Sequence, residues 1–322
     1  MILILTEPSD AHADAVCRIL EARQYPYVRL DSANFPARLR ISAHISEARA
    51  QLNLREITHS SNIDLSSIGT VWYRRPGRPV SESILSGREY REGIDEENHQ
   101  FLQDLWQATD CHWVPGRPSD LRDAQKLHQL MLARKLGFNV PDTLITNEAE
   151  DLLAFYSRHE GRIISKRAAF SRLNEQGAPF YRFTERMNRR DLGYLDAVRF
   201  CPMIFQVDVP KSYELRITVV GDKIFAAAIH SQASKHTRID WRRYDHYRTP
   251  YSIHDLPDEI SRRCLLLTKR LRLMFGAIDM IVTPSGEYVF LEINPNGQYL
   301  WVEELTRMPI TLAIAELLMT IG

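Results

Sequence analysis

The chain has 322 residues, about twice the ~100–200 of a typical domain, so two or three domains with cores of their own are expected. Hydrophobic residues at 44%, charged residues at 25% and a mean hydropathy of −0.31 exclude a disulfide-stapled miniprotein, a mainly disordered chain and a membrane protein. Lys plus Arg and Asp plus Glu balance at 41 each, which removes bulk nucleic-acid binding and leaves only local patches.

Almost all the positive charge is arginine, because lysine occurs only at 126, 135, 166, 211, 223, 235 and 269. The few lysines are therefore candidates for places where a compact ammonium does what a guanidinium cannot. Cys17, Cys111, Cys201 and Cys264 form no CxxC pair, so neither a zinc site nor a disulfide framework is indicated, and a reducing cytoplasm fits. The first ten residues lack a basic region and carry Glu7 and Asp10, so no signal peptide is expected, and no apolar run reaches the ~18–20 residues of a membrane span.

Residues 2–5 are a short apolar run ended by Thr-Glu-Pro-Ser-Asp and followed by helical spacing at Ala11, Ala15, Val16, Ile19 and Leu20, the opening of a parallel α/β domain. A strand is expected at 27–30, a hairpin over 38–45 and 50–57, a strand at 71–74 and a helix over 89–109. Pro115-Gly116-Arg117-Pro118 marks a boundary, with a helix over 119–136 ended by Gly137, an N-cap at Asn147 and a strand over 162–166. After about 200 the pattern turns strand-rich, at 203–207, 215–220 and 224–229, with Gly221-Asp222 as a hairpin dipeptide. A helix over 257–275, two more strands and a C-terminal helix near 303–320 complete an α/β unit followed by α+β. The division expected is 1–115, 116–200 and 201–322.

Residues 276–297 carry the most information. Two apolar runs flank Pro284-Ser285-Gly286-Glu287, so a β-hairpin is predicted. With Ser285-Gly286 as a two-residue loop, residue 283 pairs with 288 and Asp279 faces Glu292. Facing like charges are destabilising and need a neutralising partner. Glu292 and Asn294 share a strand face, so two carboxylates and an amide oxygen converge, a set of hard donors that suits Mg²⁺ with nucleotide phosphates.

Leu-Glu-Ile-Asn-Pro-Asn-Gly, placed after the acid of a Gly-x-x-Asp strand, resembles the magnesium motif of ATP-grasp ligases. Lys126, Lys166 at the end of Ile-Ile-Ser-Lys, the strand at 206–209 and Glu214-Leu215-Arg216 follow in the order of that family. The resemblance implies an ATP-grasp fold preceded by a pre-ATP-grasp α/β domain. It also implies that Lys126 and Lys166 hold the ATP phosphates, that Gln206, Val207, Asp208 and Val209 receive adenine, and that Glu214 binds the ribose. Asp279, Glu292 and Asn294 would hold two Mg²⁺, and Arg216 would act with Lys166 on the transferred phosphoryl group. One departure stands out: the stretch 168–179, a glycine-rich phosphate-covering hairpin in the family, holds only Gly177.

Within that family, Val-Trp-Tyr-Arg-Arg-Pro at 71–76, Ser-Gln-Ala-Ser at 231–234 leading to Asp-Trp-Arg at 240–242, and Gly-Gln-Tyr-Leu-Trp at 297–301 are similar to the microviridin-type maturases, or graspetide ligases. These join side chains of ribosomally made precursor peptides by ester or amide bonds through an acylphosphate. The resemblance implies a precursor peptide with a helical leader as partner, a homodimer, a cytoplasmic location, and no nucleic-acid or membrane partner. The basic, aromatic stretch 235–251 reads as a surface for an acidic peptide, with Arg242 on a substrate carboxylate and Asp240 orienting it. Two other readings stay open: a ligase that adds free amino acids to a protein or peptide, and a non-catalytic ATP-sensing module.

Overall fold

The computed structural model of the protein describes residues 1–57, 61–79, 87–166, 173–175, 178–180, 183–243 and 248–322. The N-terminal region contains β1 (Ile2–Thr6), α1 (Ala11–Ala22), β2 (Tyr27–Leu30), β3 (Leu39–Ile45), β4 (Ala50–Glu56), β5 (Ser61–Asp64), β6 (Thr70–Arg75), α2 (Arg88–Ala108) and β7 (His112–Val114). Strands β2-β1-β6-β7 form a parallel sheet and β3-β4-β5 an antiparallel one. Alternation along β1 explains its apolar run from Ile2 to Leu5: Ile2 and Ile4 enter one core and Leu3 and Leu5 another. Leu102, Leu105 and Trp106 of α2 fill that second core.

The middle region comprises α3 (Pro118–Asp123), α4 (Lys126–Lys135), β8 (Thr143–Thr146), α5 (Ala149–Arg158), β9 (Ile163–Lys166), β10 (Leu173–Glu175), β11 (Ala178–Phe180), β12 (Glu185–Arg186) and β13 (Met203–Val207). The single helix expected over 119–136 is two, broken at Ala124 and Gln125. Glu148, not Asn147, takes the N-cap position of α5. Strand β13 lies between β8 and β9 in the order β12-β9-β13-β8, so residues 203–207 pair with strands on the other side of the expected boundary at 200. Strands β10 and β11 pair within the stretch read as phosphate-covering; Gly177 and all of 168–172 lie outside the described residues.

The last region holds β14 (Tyr213–Val220), β15 (Lys223–Ile229), β16 (Tyr251–Ile253), α6 (Asp258–Arg270), β17 (Phe275–Val282), β18 (Tyr288–Asn294), α7 (Leu300–Thr306) and α8 (Ile310–Thr320). Its antiparallel sheet runs β16-β15-β14-β17-β18. Leu215, Ile217 and Val219 point into a core with Cys264 and Leu267 of α6, which leaves Glu214, Arg216 and Thr218 on the other face. The C-terminal helix expected near 303–320 breaks at Arg307, which has a left-handed backbone (φ 63°), just before Pro309. Beyond the break α8 bridges its own lobe and the first domain: Ile310, Ile314 and Leu318 share one continuous core with Val220 and Phe275 and with Ile2, Ile4, Val16 and Leu20. The first and last segments of the chain therefore share an interior. Among the described residues no helix is long and apolar enough to cross a membrane.

Candidate active site

The site begins with the β17–β18 hairpin. Its turn is not the two-residue loop expected. Thr283 N–H donates to Glu287 C=O and Gly286 N–H to Thr283 C=O, closing a five-residue turn in which Val282, not residue 283, faces Tyr288. Continued without interruption, that register would put Leu291 opposite Asp279. The ladder instead shifts between Asp279 and Met280, where one extra residue is accommodated on β18. Such a bulge re-aims the residues beyond it, and Asp279 faces Glu292 after all, with Asn294 opposite Ala277.

Across the sheet Arg216 of β14 is directly paired with Asp279, so one level carries Arg216, Asp279 and Glu292 side by side. Arg216 Nη1 donates to both carboxylate oxygens of Asp279, at 2.8 and 3.0 Å, and Lys126 Nζ contacts Glu292 Oε2. The facing acids are thus neutralised by a cation on each side. Lys126 reaches Glu292 because the helix breaks just before it and α4 restarts at that residue. One turn on, Gln129 is buried and works as a strand neighbour: its Oε1 accepts from Ile293 N–H at 2.5 Å and its Nε2 donates to Ile293 C=O at 3.3 Å. Sequence reasoning missed Gln129, although a glutamine on the buried side of a helix is a signal of this kind.

Lys166, at the end of β9, brings the middle region to the same charges. Burial pushes its ammonium down to about 8, with Glu292 opposing the shift and Lys126 adding to it. Burial also raises both acids. Lys126 and Lys166 overcome that at Glu292 and hold its carboxyl down to about 2. At Asp279 burial prevails over Arg216, reinforced by the charge of Glu292, and the carboxyl stays above the ordinary range. Glu292 is therefore the firmer anion of the pair.

The loop after β18 is pressed onto the same row. A Cβ on Gly297 would lie 2.3 Å from Ala277 Cβ and 3.1 Å from Arg216 Nη2, so only glycine fits. Arg216 Nη2 donates to Gln298 C=O at 3.2 Å, and Asn294 Oδ1 accepts from Asn296 N–H at 3.0 Å. From the N-terminal sheet, Arg74 Nη1 and Arg75 Nη2 both donate to Asn296 C=O, at 2.7 and 3.2 Å.

The remaining candidates are distributed around this row. Gln206 is buried on β13; its Nε2 donates to Thr143 Oγ1 at 3.0 Å, while its Oε1 has no hydrogen-bond partner. Val207 N–H donates to Asp142 C=O and Asp208 N–H to Arg162 C=O, and Asp208 accepts Arg186 Nε at 2.5 Å. Val209 lies two residues beyond the end of the strand at Val207. Glu214 accepts Lys211 Nζ at 2.5 Å on Oε1, whereas Oε2 is buried with no hydrogen-bond partner. Asp240 is buried and takes the fork of Arg242 at 2.8 and 2.5 Å and Thr184 N–H at 2.9 Å. It orients Arg242 rather than offering itself to a ligand. These bonds hold its carboxyl down to about 2 against the opposing effect of burial.

Stretch 235–251 is not a simple solvated loop: Thr237, Asp240, Trp241 and Thr249 are buried, and Trp241 packs against Trp301 at 4.9 Å. Residues 244–247 lie outside the described residues.

Among the described residues no three His, Cys, Asp or Glu side chains gather at one point. The donor set at the row is two carboxylates and the amide of Asn294. Hard oxygens in this number fit Mg²⁺, which takes one or two carboxylates and leaves its other positions to water and phosphate. The unpaired buried oxygens of Glu214 and Gln206 fit hydrogen-bond donors of a nucleoside.

A family model described as the MvdD pre-ATP grasp domain matches residues 1–119. The chain is similar in structure to the macrocyclase MdnC of Microcystis aeruginosa MRC, solved with precursor peptide MdnA, at 30% identity over 99% of both chains and a TM-score of 0.86. It is similar to a Chryseobacterium gregarium RiPP-associated ATP-grasp ligase, solved with ADP and a leader and core peptide, at 30% identity over 100% of this chain and 97% of the other, with a TM-score of 0.90. MdnB of Microcystis aeruginosa MRC matches at 31% identity over 99% of each chain, with a TM-score of 0.82. No match was found among curated protein sequences. A pre-ATP-grasp domain joined to this fold makes the chain an ATP-grasp ligase. Within that class it belongs to the RiPP-associated ATP-grasp macrocyclase family of MdnC and MdnB.

Proposed function

We propose that the protein forms ester or amide macrocycles in a ribosomally made precursor peptide by phosphorylating its Asp or Glu side chains with ATP. The observation that carries this reading is the row Arg216, Asp279 and Glu292 on one face of the sheet, with Lys126 of α4 on Glu292 and Lys166 beside them. A carboxylate is a poor acyl donor. In the proposed first step a substrate carboxylate oxygen attacks the γ-phosphorus and ADP leaves. A peptide hydroxyl or amine then attacks the acyl carbon, its proton is lost, and inorganic phosphate departs, so one water is removed from the peptide per bond.

Asp279, Glu292 and Asn294 would hold two Mg²⁺, which when bound offset the charge on the phosphate oxygens. Lys126 and Lys166 bind those phosphates, and Arg216 stabilises the charge on the group in transfer. The edge formed by Gln206, Val207, Asp208 and Val209 receives adenine, and the free oxygen of Glu214 accepts from the ribose. Arg242, braced by Asp240, pairs with the substrate carboxylate. The leader docks as a helix, and the enzyme acts in the cytoplasm as a homodimer.

The test is mass spectrometry of an acidic, Ser/Thr/Lys-rich peptide encoded beside this gene after incubation with enzyme, ATP and Mg²⁺. Loss of one water per bond is expected. A gain of an amino-acid residue would instead identify a ligase for free amino acids, and ATP binding without product from any candidate peptide would favour a sensing module.

A further inference from the structure

The motif Val-Trp-Tyr-Arg-Arg-Pro lies in the N-terminal sheet, yet its arginines end on the loop that follows the candidate metal strand. The path starts at a break in the parallel ladder. Leu5 pairs with Tyr73 but Thr6 with Arg75, so Arg74 is an extra residue on β6, the kind of irregularity that turns a side chain out of strict alternation. Arg74 is 2% exposed. Its counter-ion is Asp10 at 3.5 Å, and Asp10 is fixed by Thr6 Oγ1 at 2.8 Å and by His12 N–H at 3.0 Å. From there Nη1 donates to Asn296 C=O, and Asn296 N–H donates to Asn294 Oδ1.

A buried ion pair is weak evidence of stability, since an apolar pair of similar size often serves as well or better. Here Nε and Nη2 of Arg74 are also buried without hydrogen-bond partners, an added cost. An arginine kept under those terms needs another explanation, and the bond it makes to Asn296 supplies one.

We propose that Arg74 is a positioning residue for the metal site: through Asn296 it fixes the end of β18, so that the N-terminal domain sets the geometry of Asn294 and Glu292. This rests on the reading of Asp279, Glu292 and Asn294 as metal-holding residues. Arg75, on the same carbonyl, assists from a more exposed position. A lysine at 74 keeps the charge beside Asp10, but its single ammonium lacks the planar fork that spans Asp10 and Asn296 together.

Two variants test it. R74K keeps the charge, and the double variant D10N/R74M removes both charges together, so that no lone buried ion is left to unfold the protein. In each, hydrogen exchange across residues 294–298 is expected to quicken by about tenfold, from loss of a charged hydrogen bond. Mn²⁺ affinity in the presence of ADP, read by electron paramagnetic resonance, is expected to fall by about 10–100-fold, as for other groups that orient metal ligands.

A folded D10N/R74M protein with unchanged Mn²⁺ affinity overturns the proposal, whether or not its loop exchanges faster. Glu292→Gln, measured alongside, separates the two layers. If E292Q binds Mn²⁺ like the wild type, the metal reading itself fails and this proposal with it. If E292Q loses Mn²⁺ while D10N/R74M does not, only the role of Arg74 is refuted.

Discussion

Two hairpins of the same five-stranded sheet reach the candidate active site by different means. In β14–β15 a two-residue turn at Gly221-Asp222 joins strands whose ladder is unbroken from Glu214 opposite Ile229 to Val220 opposite Lys223. Glu214 and Arg216 stand two apart, so alternation alone delivers both to the site face. In β17–β18 a five-residue turn sets a register that would turn Glu292 away from Asp279, and a bulge returns it. A regular ladder suffices for functional residues on one strand. Facing acids on two strands depend on the count of residues between them, and here that count needed one extra.

The strongest way to break the comparison is at Glu292. E292Q is expected to lower peptide-dependent ATP turnover by at least about 100-fold, with a thermal midpoint close to the wild type, because Glu292 and Lys126 are each partly exposed. D279N is expected to lose turnover equally but also to cost about 3 kcal/mol in a denaturant titration, since it strands the buried Arg216.

Next comes Gln129, which aligns the bulged strand with α4. Q129L removes both bonds to Ile293 and is expected to lower turnover about tenfold and stability by about 2 kcal/mol, whereas exposed changes elsewhere on α4 should leave both rates and unfolding curves alone.

A smaller effect concerns Lys166. Its ammonium has an ordinary value of 10.5, lowered in the folded protein to about 8. Between those values the unfolded chain holds a proton that the folded one has released, so this group makes the free protein more stable as pH rises from 8 to 10.5. Phosphates held beside Lys166, as proposed, would favour the charged form. ADP binding near pH 9 is therefore expected to take up a proton, and affinity to fall as pH rises above 8. Calorimetry in two buffers of different ionisation enthalpy measures the uptake, and Lys166→Met should abolish it.

The smallest effect belongs to the regular hairpin. Gly221 has φ 57°, and G221A is expected to cost about 1 kcal/mol of stability with turnover unchanged.

Much of this was legible from residue types in order. The turn signal at 284–287 between two apolar runs marked the hairpin, and the acids, lysines and Arg216 fell in the sequence of a known family. Registers were harder to read. The expected two-residue loop also paired 279 with 292, but the chain arrives there by a longer turn and a bulge, and no residue type announces a bulge at Leu291. Ala124 and Gln125 carry no breaker, so the restart of the helix at Lys126 was invisible; it follows from tertiary contacts to Glu292 and Ile293. Arg74 and Arg75 stood out as a motif, but their partner is Asn296, more than two hundred positions away, and local periodicity says nothing about contacts of that span.

The shared interior of α8 and the N-terminal sheet also bears on how the protein is made. Ile2, Ile4, Val16 and Leu20 leave the ribosome well before the helix that covers them, Ile310–Thr320, which is translated roughly 200 residues after β7, a delay of about 10–40 s at ~5–20 residues per second. During that interval one face of the first domain is a nascent surface without its lid. A temporary cover, from a chaperone or from the emerging chain itself, is what the architecture asks of the cell before the enzyme is complete.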